Sequence, residues 1–275
     1  MKELSDYKII KKKGFVGVNF PELWRHRELC LFLALRDIIV RYKQTVIGAA
    51  WSIIQPLFTM IVFSVLFGHF AKLPSEGVPY PILIFVALLP WQFFARAITS
   101  ASQSIVSSTA IITKVYFPRM IIPASAILSA SVDFFISFFI LIALMVWYKI
   151  APTGTLIYLP LFFLLSFTFA LAIGLWLSAL NAEYRDVLYV VPFLLQAGQY
   201  ISPVAYSSSI IPLKWKLLYS MNPMTSVIDG FRWCLLGTAE PHWTGVTLSV
   251  LFVFIALVSG LFYFRKMERT FVDVI

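Results

Sequence analysis

The sequence predicts an all-α integral membrane protein. We expect six transmembrane helices, an N-terminal amphipathic helix at the membrane interface, and re-entrant or surface helices on the outer side between spans 5 and 6. Of the 275 residues, 60% are hydrophobic and only 13% are charged. Soluble domains average about 45–50% apolar and about 25% charged residues. The composition therefore argues against a soluble enzyme or a nucleic-acid-binding module, despite a net charge of +9.

Six apolar stretches are each long enough to cross a bilayer. A spanning helix needs about 20 mostly apolar residues, because the hydrocarbon core is about 30 Å thick and each residue rises about 1.5 Å. Arg96 and Asp133 place charges inside these stretches, which indicates either a functional site or a structural pair facing the helix bundle. The stretches are residues 46–67, 73–113, 120–148, 150–182, 187–213 and 243–264.

The basic residues are unevenly divided between the two sets of loops. With the N-terminus inside, the cytoplasmic segments hold 16 of the 22 Lys and Arg residues, the outer segments hold five, and Arg96 lies within the membrane. Because cytoplasmic loops carry the Lys/Arg excess, both termini are predicted to be cytoplasmic. The predicted organisation is a cytoplasmic segment over 1–45, a six-helix membrane domain over 46–264 and a cytoplasmic tail over 265–275.

Residues 22–43 combine apolar and basic side chains at helical spacing. This pattern predicts a helix that lies in the cytoplasmic interface with its arginines near anionic headgroups. The alternative is a soluble helix packed on a partner protein. The apolar members are Trp24, Phe32, Leu35, Ile39 and Tyr42, and the basic members are Arg25, Arg27, Arg36 and Arg41.

The outer connection, from about residue 206 to 241, contains apolar stretches that are too short to cross the membrane. Pro212, the Asn222–Pro223 pair and Gly237 interrupt them. This pattern predicts short re-entrant or surface-lying helices, since irregular backbone at membrane depth must be buried in protein or line a cavity.

The sequence lacks recognisable catalytic motifs. We find no GxxxxGK[ST] loop, HExxH helix or GxSxG elbow. The three histidines have no second ligand at useful spacing, so we predict no metal site. The missing motifs argue against enzymatic activity and against a directly bound cofactor. Aromatic residues form 17% of the chain, and aromatic faces can stack on sugar rings, although core or lipid packing is the ordinary alternative.

Six short sequence segments, taken in order along the chain, resemble segments of a known protein family. They are RYKQTVIGAAWSIIQPL from Arg41, FSVLFG from Phe63, LLPWQFF from Leu88, KVYFPRMIIP from Lys114, SPVAY from Ser202 and NPMTSVIDGFR from Asn222. Together they resemble the ABC-2 permeases and, among these, the polysaccharide exporters of the Wzm (O-antigen) and teichoic-acid type. The resemblance covers essentially the whole chain.

The resemblance implies a homodimeric channel in the bacterial cytoplasmic membrane, surrounded by membrane lipids. It implies two copies of a separate nucleotide-binding subunit, which binds ATP with Mg²⁺, and a lipid-linked glycan such as O-antigen as substrate. The implied ATPase-coupling candidates are Arg25, Arg27, Glu28, Lys114, Arg119, Glu183 and Arg185. The implied outer gate candidates are Trp215, Asn222, Pro223 and Arg232. Candidates for the substrate path are Phe134, Phe138, Tyr189, Phe193, Arg96 and Asp133.

Several alternatives stay open at the level of sequence. An exporter of the same superfamily could carry a small amphipathic drug or a lipid, and a secondary transporter could use an ion gradient without any ATPase. A membrane-embedded glycosyl or acyl transferase would need convergent carboxylates or histidines, whereas Asp133 stands alone. The glycan itself could be O-antigen, capsule or teichoic acid, and the turn at residues 183–186 could simply be solvated.

Overall fold

The computed structural model describes residues 20–43, 48–238, 240–268 and 271, and within these ranges all regular elements are helical. Three parts of the predicted domains lie outside the described residues. They are residues 1–19 and 44–45 of the N-terminal segment, residues 46–47 of the membrane domain, and residues 269–270 and 272–275 of the tail. The α-helices are α1 Phe20–Arg25, α2 Arg27–Lys43, α3 Gly48–Phe63, α4 Tyr80–Ser107, α5 Thr109–Ile112, α6 Ile121–Trp147, α7 Leu159–Glu183, α8 Val187–Ile201, α9 Leu213–Tyr219, α10 Pro223–Leu236 and α11 Trp243–Met267. A π-helix at Ser64–Phe70 continues α3, and 3-10 helices occupy Gly154–Tyr158 and Ser208–Ile210.

Within the described ranges, five helical segments are long and apolar enough to cross a membrane. They are Ala50–Phe70, Tyr80–Ser107, Ile121–Trp147, Gly154–Glu183 and Trp243–Met267. They correspond to predicted spans 1 to 4 and 6.

The predicted fifth span, residues 187–213, differs in the structure. Its first 15 residues form the only long helix in this stretch, α8. This helix measures about 22 Å and is shorter than the hydrocarbon core. The helix stops at Ile201 because Pro203 disfavours helical backbone at the residue before it. Ser202 is accordingly extended, with φ −79° and ψ 153°.

Helix α4 forms the centre of the bundle. It contacts α3, α6, α7, α8 and α10, and its side chains from Ile82 to Leu88 are almost completely buried. Its first turns carry apolar side chains on every side, as expected of a buried helical segment. Peripheral helices such as α3 and α11 expose large apolar residues on their outer sides, including Phe58 and Phe254.

The predicted amphipathic helix over 22–43 forms as two consecutive helices, α1 and α2, separated by a turn at His26. Helix α2 packs against α6 and buries Leu33 and Ala34. Phe32 and Ile39 remain more than half exposed on other faces of α2. The helix therefore presents apolar side chains both to the bundle and to its surroundings.

The outer connection contains the two short helices that the Pro and Gly positions predict. Asn222 caps α10 by accepting a hydrogen bond from the backbone N–H of Met224, and Pro223 occupies the first turn, where no amide donor is needed. Gly237 ends the helix in the left-handed conformation at φ 65°. Helix α10 packs against α4, α7 and α11, so it is inserted among the long helices.

Candidate functional site

Asp133 lies at the junction of several helices and is only 4% exposed. Its Oδ2 atom is 2.6 Å from Nη1 of Arg41 on α2 and 2.8 Å from Nη1 of Arg96 on α4. Its Oδ1 atom accepts hydrogen bonds from the hydroxyl of Tyr42 and from Oγ of Ser52, the latter at 3.1 Å. Both carboxylate oxygens are therefore satisfied, as a buried charge requires.

The charged pair that the sequence suggested is present, but it has an additional partner. Arg96 and Asp133 face the bundle together, as one of the two interpretations of these residues expected. The sequence assigned Arg41 to the lipid headgroups, whereas the structure directs it to Asp133. The sequence feature that could have indicated this contact is the position of Arg41 and Tyr42, immediately before the first span.

A polar cavity of about 380 Å³ lies beside this junction, between α3, α4 and α8. Arg96 reaches it and donates to Oε1 of Gln55 at 3.2 Å. We call this cavity the polar groove. Its polar lining is Gln55, Thr59, Gln92, Arg96, Thr99, Ser100 and Gln199, and its remaining walls are Trp91, Ala95, Pro192 and Leu195. Sequence analysis missed the glutamines, although amides within apolar helices are costly unless they are hydrogen-bonded.

The aromatic path candidates are separated by the fold. Phe134 is buried in the core, where its ring lies 4.4 Å from that of Phe163, and Phe138, half-buried, stacks against it at 6.1 Å. Tyr189 and Phe193 on α8 are instead 80% and 68% exposed.

Tyr189 and Phe193 share a face of α8 with Gln196 and Tyr200, because the residues recur at helical spacing. All four are exposed. We call this the aromatic face of α8. The neighbouring side of α8, at Pro192 and Gln199, lines the polar groove, so the two surfaces adjoin along one helix.

Arg232, an outer gate candidate, ties α10 to the chain that follows α8. It is 2% exposed, and its Nη1 and Nη2 atoms donate to the carbonyls of Tyr206 at 2.9 Å and Val204 at 3.2 Å. Asn222 adds a hydrogen bond from Nδ2 to Oγ of Ser202 at 2.9 Å. Arg232 therefore satisfies two backbone carbonyls of the segment after α8, and Asn222 adds a bond to one of its side chains.

The same region holds acidic groups that the sequence analysis did not single out. Asp229 on α10 accepts a hydrogen bond from Ser208 and lies near the Arg232 guanidinium. Glu76, from the loop before α4, accepts a hydrogen bond from the Ser207 hydroxyl. Trp215, another gate candidate, is exposed on α9.

The ATPase-coupling candidates lie at one end of the bundle's helices, and most of them are exposed. Arg119 differs, since its Nη1 atom donates to the carbonyl of Glu268 at 2.6 Å and its backbone N–H donates to Oε1 of the same residue. It therefore links the loop after α5 to the end of α11. The exposed candidates are Arg25, Arg27, Glu28, Lys114, Glu183 and Arg185.

The loop between α5 and α6 also exposes apolar residues that were not among the candidates. Tyr116 is 93% exposed and Val115 is 57% exposed. An aromatic side chain presented in this way on a short loop is a typical anchor for a protein partner.

Comparison with known proteins matches this arrangement to one family. The family model described as "ABC-2 type transporter" matches residues 28–236, which extend from the start of α2 to the end of α10. The matched region includes the Asp133 junction, the polar groove and Arg232.

Three similar proteins cover nearly the whole chain. An O-antigen export system permease protein RfbA of Klebsiella pneumoniae is 28% identical over 255 residues, covering 90% of this chain and 95% of that protein. A protein of the same name from Myxococcus xanthus is 29% identical over 254 residues, covering 90% and 96%. A second Klebsiella pneumoniae protein of that name is 26% identical over 274 residues, covering 97% and 99%.

Proposed function

Because this chain belongs to the ABC-2 type transporter family, we propose that it is the channel-forming subunit of an ATP-driven exporter of lipid-linked polysaccharide. The relatives named O-antigen export system permeases match along almost their entire lengths. The chain is accordingly a permease subunit, and ATP with Mg²⁺ binds to a separate ATPase subunit.

The polar groove beside the aromatic face of α8 is the observation that carries this proposal. A glycan entering a membrane must exchange hydrogen bonds to water for hydrogen bonds to protein, and the amides of Gln55, Gln92 and Gln199 offer both donors and acceptors. Tyr189 and Phe193 supply faces on which sugar rings stack. Such a surface holds a chain of repeating sugars without requiring one fixed register.

Two copies of the chain form the conduit. In a single copy, the aromatic face of α8 and parts of α3, including Trp51 and Phe58, are exposed. A two-fold axis beside α3 and α8 makes these faces self-complementary and brings two polar grooves together around one path.

The membrane topology has six spans and both termini in the cytoplasm. Helix α8 acts as the fifth span, and the segment after it completes the crossing together with the inserted α10. The orientation follows from the Lys/Arg excess on the cytoplasmic side. The location is the bacterial cytoplasmic membrane.

Coupling to the ATPase passes through the Asp133 junction. The ATPase contacts the region of α1 and α2 that carries Arg25, Arg27 and Glu28, the loop around Tyr116, and the turn at 183–186. Movement of α2 reaches Asp133 through Arg41, and Asp133 in turn holds Arg96, which lines the polar groove. One charged cluster thus connects the cytoplasmic helices to the path.

Native mass spectrometry of the chain, co-expressed with the ATPase encoded beside its gene and gently extracted, tests the assembly. We expect two permease and two ATPase subunits, with an added mass ladder spaced by a sugar repeat. Export by proteoliposomes should require ATP hydrolysis. A permease that never retains an ATPase, or transport driven by an ion gradient alone, would contradict the proposal.

A further inference from the structure

A second polar cavity, of about 150 Å³, shares Ser100 with the polar groove and Arg41 with the Asp133 junction. It is enclosed by α2, the last turns of α4 and the first turns of α6, and serines from α4 and α6 form much of its wall. Arg36 and Arg41 of α2 form its charged side. We call it the serine cavity.

One serine of this cavity is buried without a hydrogen bond. Ser129 is 1% exposed, and within the described part of the chain its Oγ atom has no hydrogen-bond partner. Neighbouring serines differ, since Ser104 donates to the carbonyl of Ala101 at 2.7 Å and Ser125 donates to that of Ile122 at 2.8 Å. A buried hydroxyl without a partner is unfavourable, and Ser129 therefore indicates a ligand in the cavity.

Guanidinium groups give the cavity hydrogen-bond donors that suit an anion. Its lining includes Arg36 and Arg41, of which Arg41 is also paired with Asp133, and one carboxylate, Asp37. Arg36 contacts Asp37 through Nε and Nη2, and because a guanidinium has five N–H donors, some remain for a ligand. Phosphate oxygens are the acceptors that guanidinium groups recognise best.

The position of the cavity favours a lipid as the source of the phosphate. The cavity lies under the amphipathic helix α2, which carries the exposed Phe32 and Leu35 beside Arg36. Basic pockets next to apolar surface at the cytoplasmic membrane interface suit an anionic headgroup whose chains remain in the bilayer. We propose that the serine cavity binds the phosphate group of a membrane lipid.

Lipid retention by the purified full-length chain tests this site. The protein is kept in dodecyl maltoside, which carries no phosphate, and native mass spectrometry measures the retained fraction of added phosphatidylglycerol, polyprenyl pyrophosphate or diacylglycerol. We expect retention of the first two and not of diacylglycerol, which lacks the phosphate. The measurement involves neither an ATPase nor transport, so its outcome is independent of the exporter proposal.

Two single substitutions in the serine cavity should change lipid retention in opposite directions. Arg36→Gln should weaken retention at least about tenfold, because one charge-assisted hydrogen bond is lost. Asp37→Asn should strengthen retention by removing a like charge from beside the phosphate. Arg27→Gln, an equal charge change at the start of α2 and outside the cavity, should leave retention unchanged.

Ser129→Ala provides a second, independent variant. It should weaken lipid retention yet raise the unfolding temperature of the lipid-free protein, because it deletes an unpaired buried hydroxyl. Equal retention by wild type, Arg36→Gln and Ser129→Ala would overturn the proposal. Displacement of the lipid by an equal concentration of inorganic phosphate would also overturn it, since the ligand would then be a soluble anion.

Discussion

Arg41 and Asp133 are 92 residues apart in sequence, yet Nη1 of Arg41 lies 2.6 Å from Oδ2 of Asp133. The contact joins α2, a helix outside the predicted spans, to the middle of α6. Because the same carboxylate oxygen also contacts Arg96, α2 and α4 are held to α6 at a single point. The buried charge of Asp133 is therefore the anchor of α2.

Replacing Asp133 with asparagine should release α2 from the bundle. Two partly buried guanidinium groups would lose their compensating charge, so we expect a loss of about 2–4 kcal/mol in the free energy of unfolding. Hydrogen–deuterium exchange should increase across α2, and α11 should be unaffected. Asp37→Asn is the matched control on α2 itself, since its partly exposed pair with Arg36 contributes about 1 kcal/mol or less. Equal effects of the two substitutions would argue against the anchor.

Replacing the groove amides should slow export without unfolding the protein. In the double variant Gln55→Leu and Gln92→Leu, hydrogen bonds to a passing glycan are lost, and we expect export to fall about tenfold while ATP hydrolysis continues. Proteoliposomes containing the complete exporter provide the measurement. Gln103→Leu makes the same change on α4 outside the polar groove, and export by this variant should remain normal. If the double variant exported normally, the polar groove would not be part of the glycan's path.

Removing the Arg232 side chain should loosen the segment after α8. Arg232→Met leaves the carbonyls of Val204 and Tyr206 without this donor, and we expect a loss of about 3 kcal/mol in stability. Arg232→Lys should lose less, because an ammonium group can still reach one carbonyl. Thermal unfolding in detergent measures the change. Lys214→Met is the control, because it also removes one positive charge but at an exposed position. If Arg232→Met lost no more stability than the control, Arg232 would not hold the segment after α8 in place.

Tyr116→Ala should weaken assembly with the ATPase while leaving the fold intact. The side chain is 93% exposed, so its removal should not change the unfolding temperature. As an aromatic anchor in an interface, it should nevertheless reduce the fraction of assembled complex several-fold. Co-purification with the ATPase measures this fraction. Trp147→Ala, an exposed aromatic at the opposite end of α6, should not affect assembly.

Sequence patterns predicted the helices much better than the contacts between them. The segments that form α4, α6, α7 and α11 were evident because each is a long apolar stretch, and α10 was bounded by its Asn222–Pro223 cap and Gly237. Helix α8 was predicted too long, since a run of uncharged residues continues past the point where Pro203 ends the helix. Hydropathy reports the absence of charge, and it is insensitive to the backbone restriction that ends this helix.

In the candidate site, too, the sequence indicated residue types but not which residues lie close together. Phe134 and Tyr189 were equivalent in sequence, as mid-span aromatics, yet the first is buried in the core and the second is 80% exposed. The glutamines of the polar groove attracted no attention individually, because each lies alone in an apolar segment. Their convergence depends on how α3, α4 and α8 pack.

The sequence was enough to predict the class of protein, most of the apolar segments and the family resemblance, and its Lys/Arg distribution favours an orientation with both termini in the cytoplasm. These properties follow from local composition and from the cost of placing charge in a bilayer, so they can be read along the chain. Only the folded chain shows that Arg41 pairs with Asp133, that the amides converge on one cavity, and that Arg232 binds the carbonyls of another segment. Each of these contacts joins residues far apart in sequence, and only the packing of the helices brings their atoms within hydrogen-bonding distance.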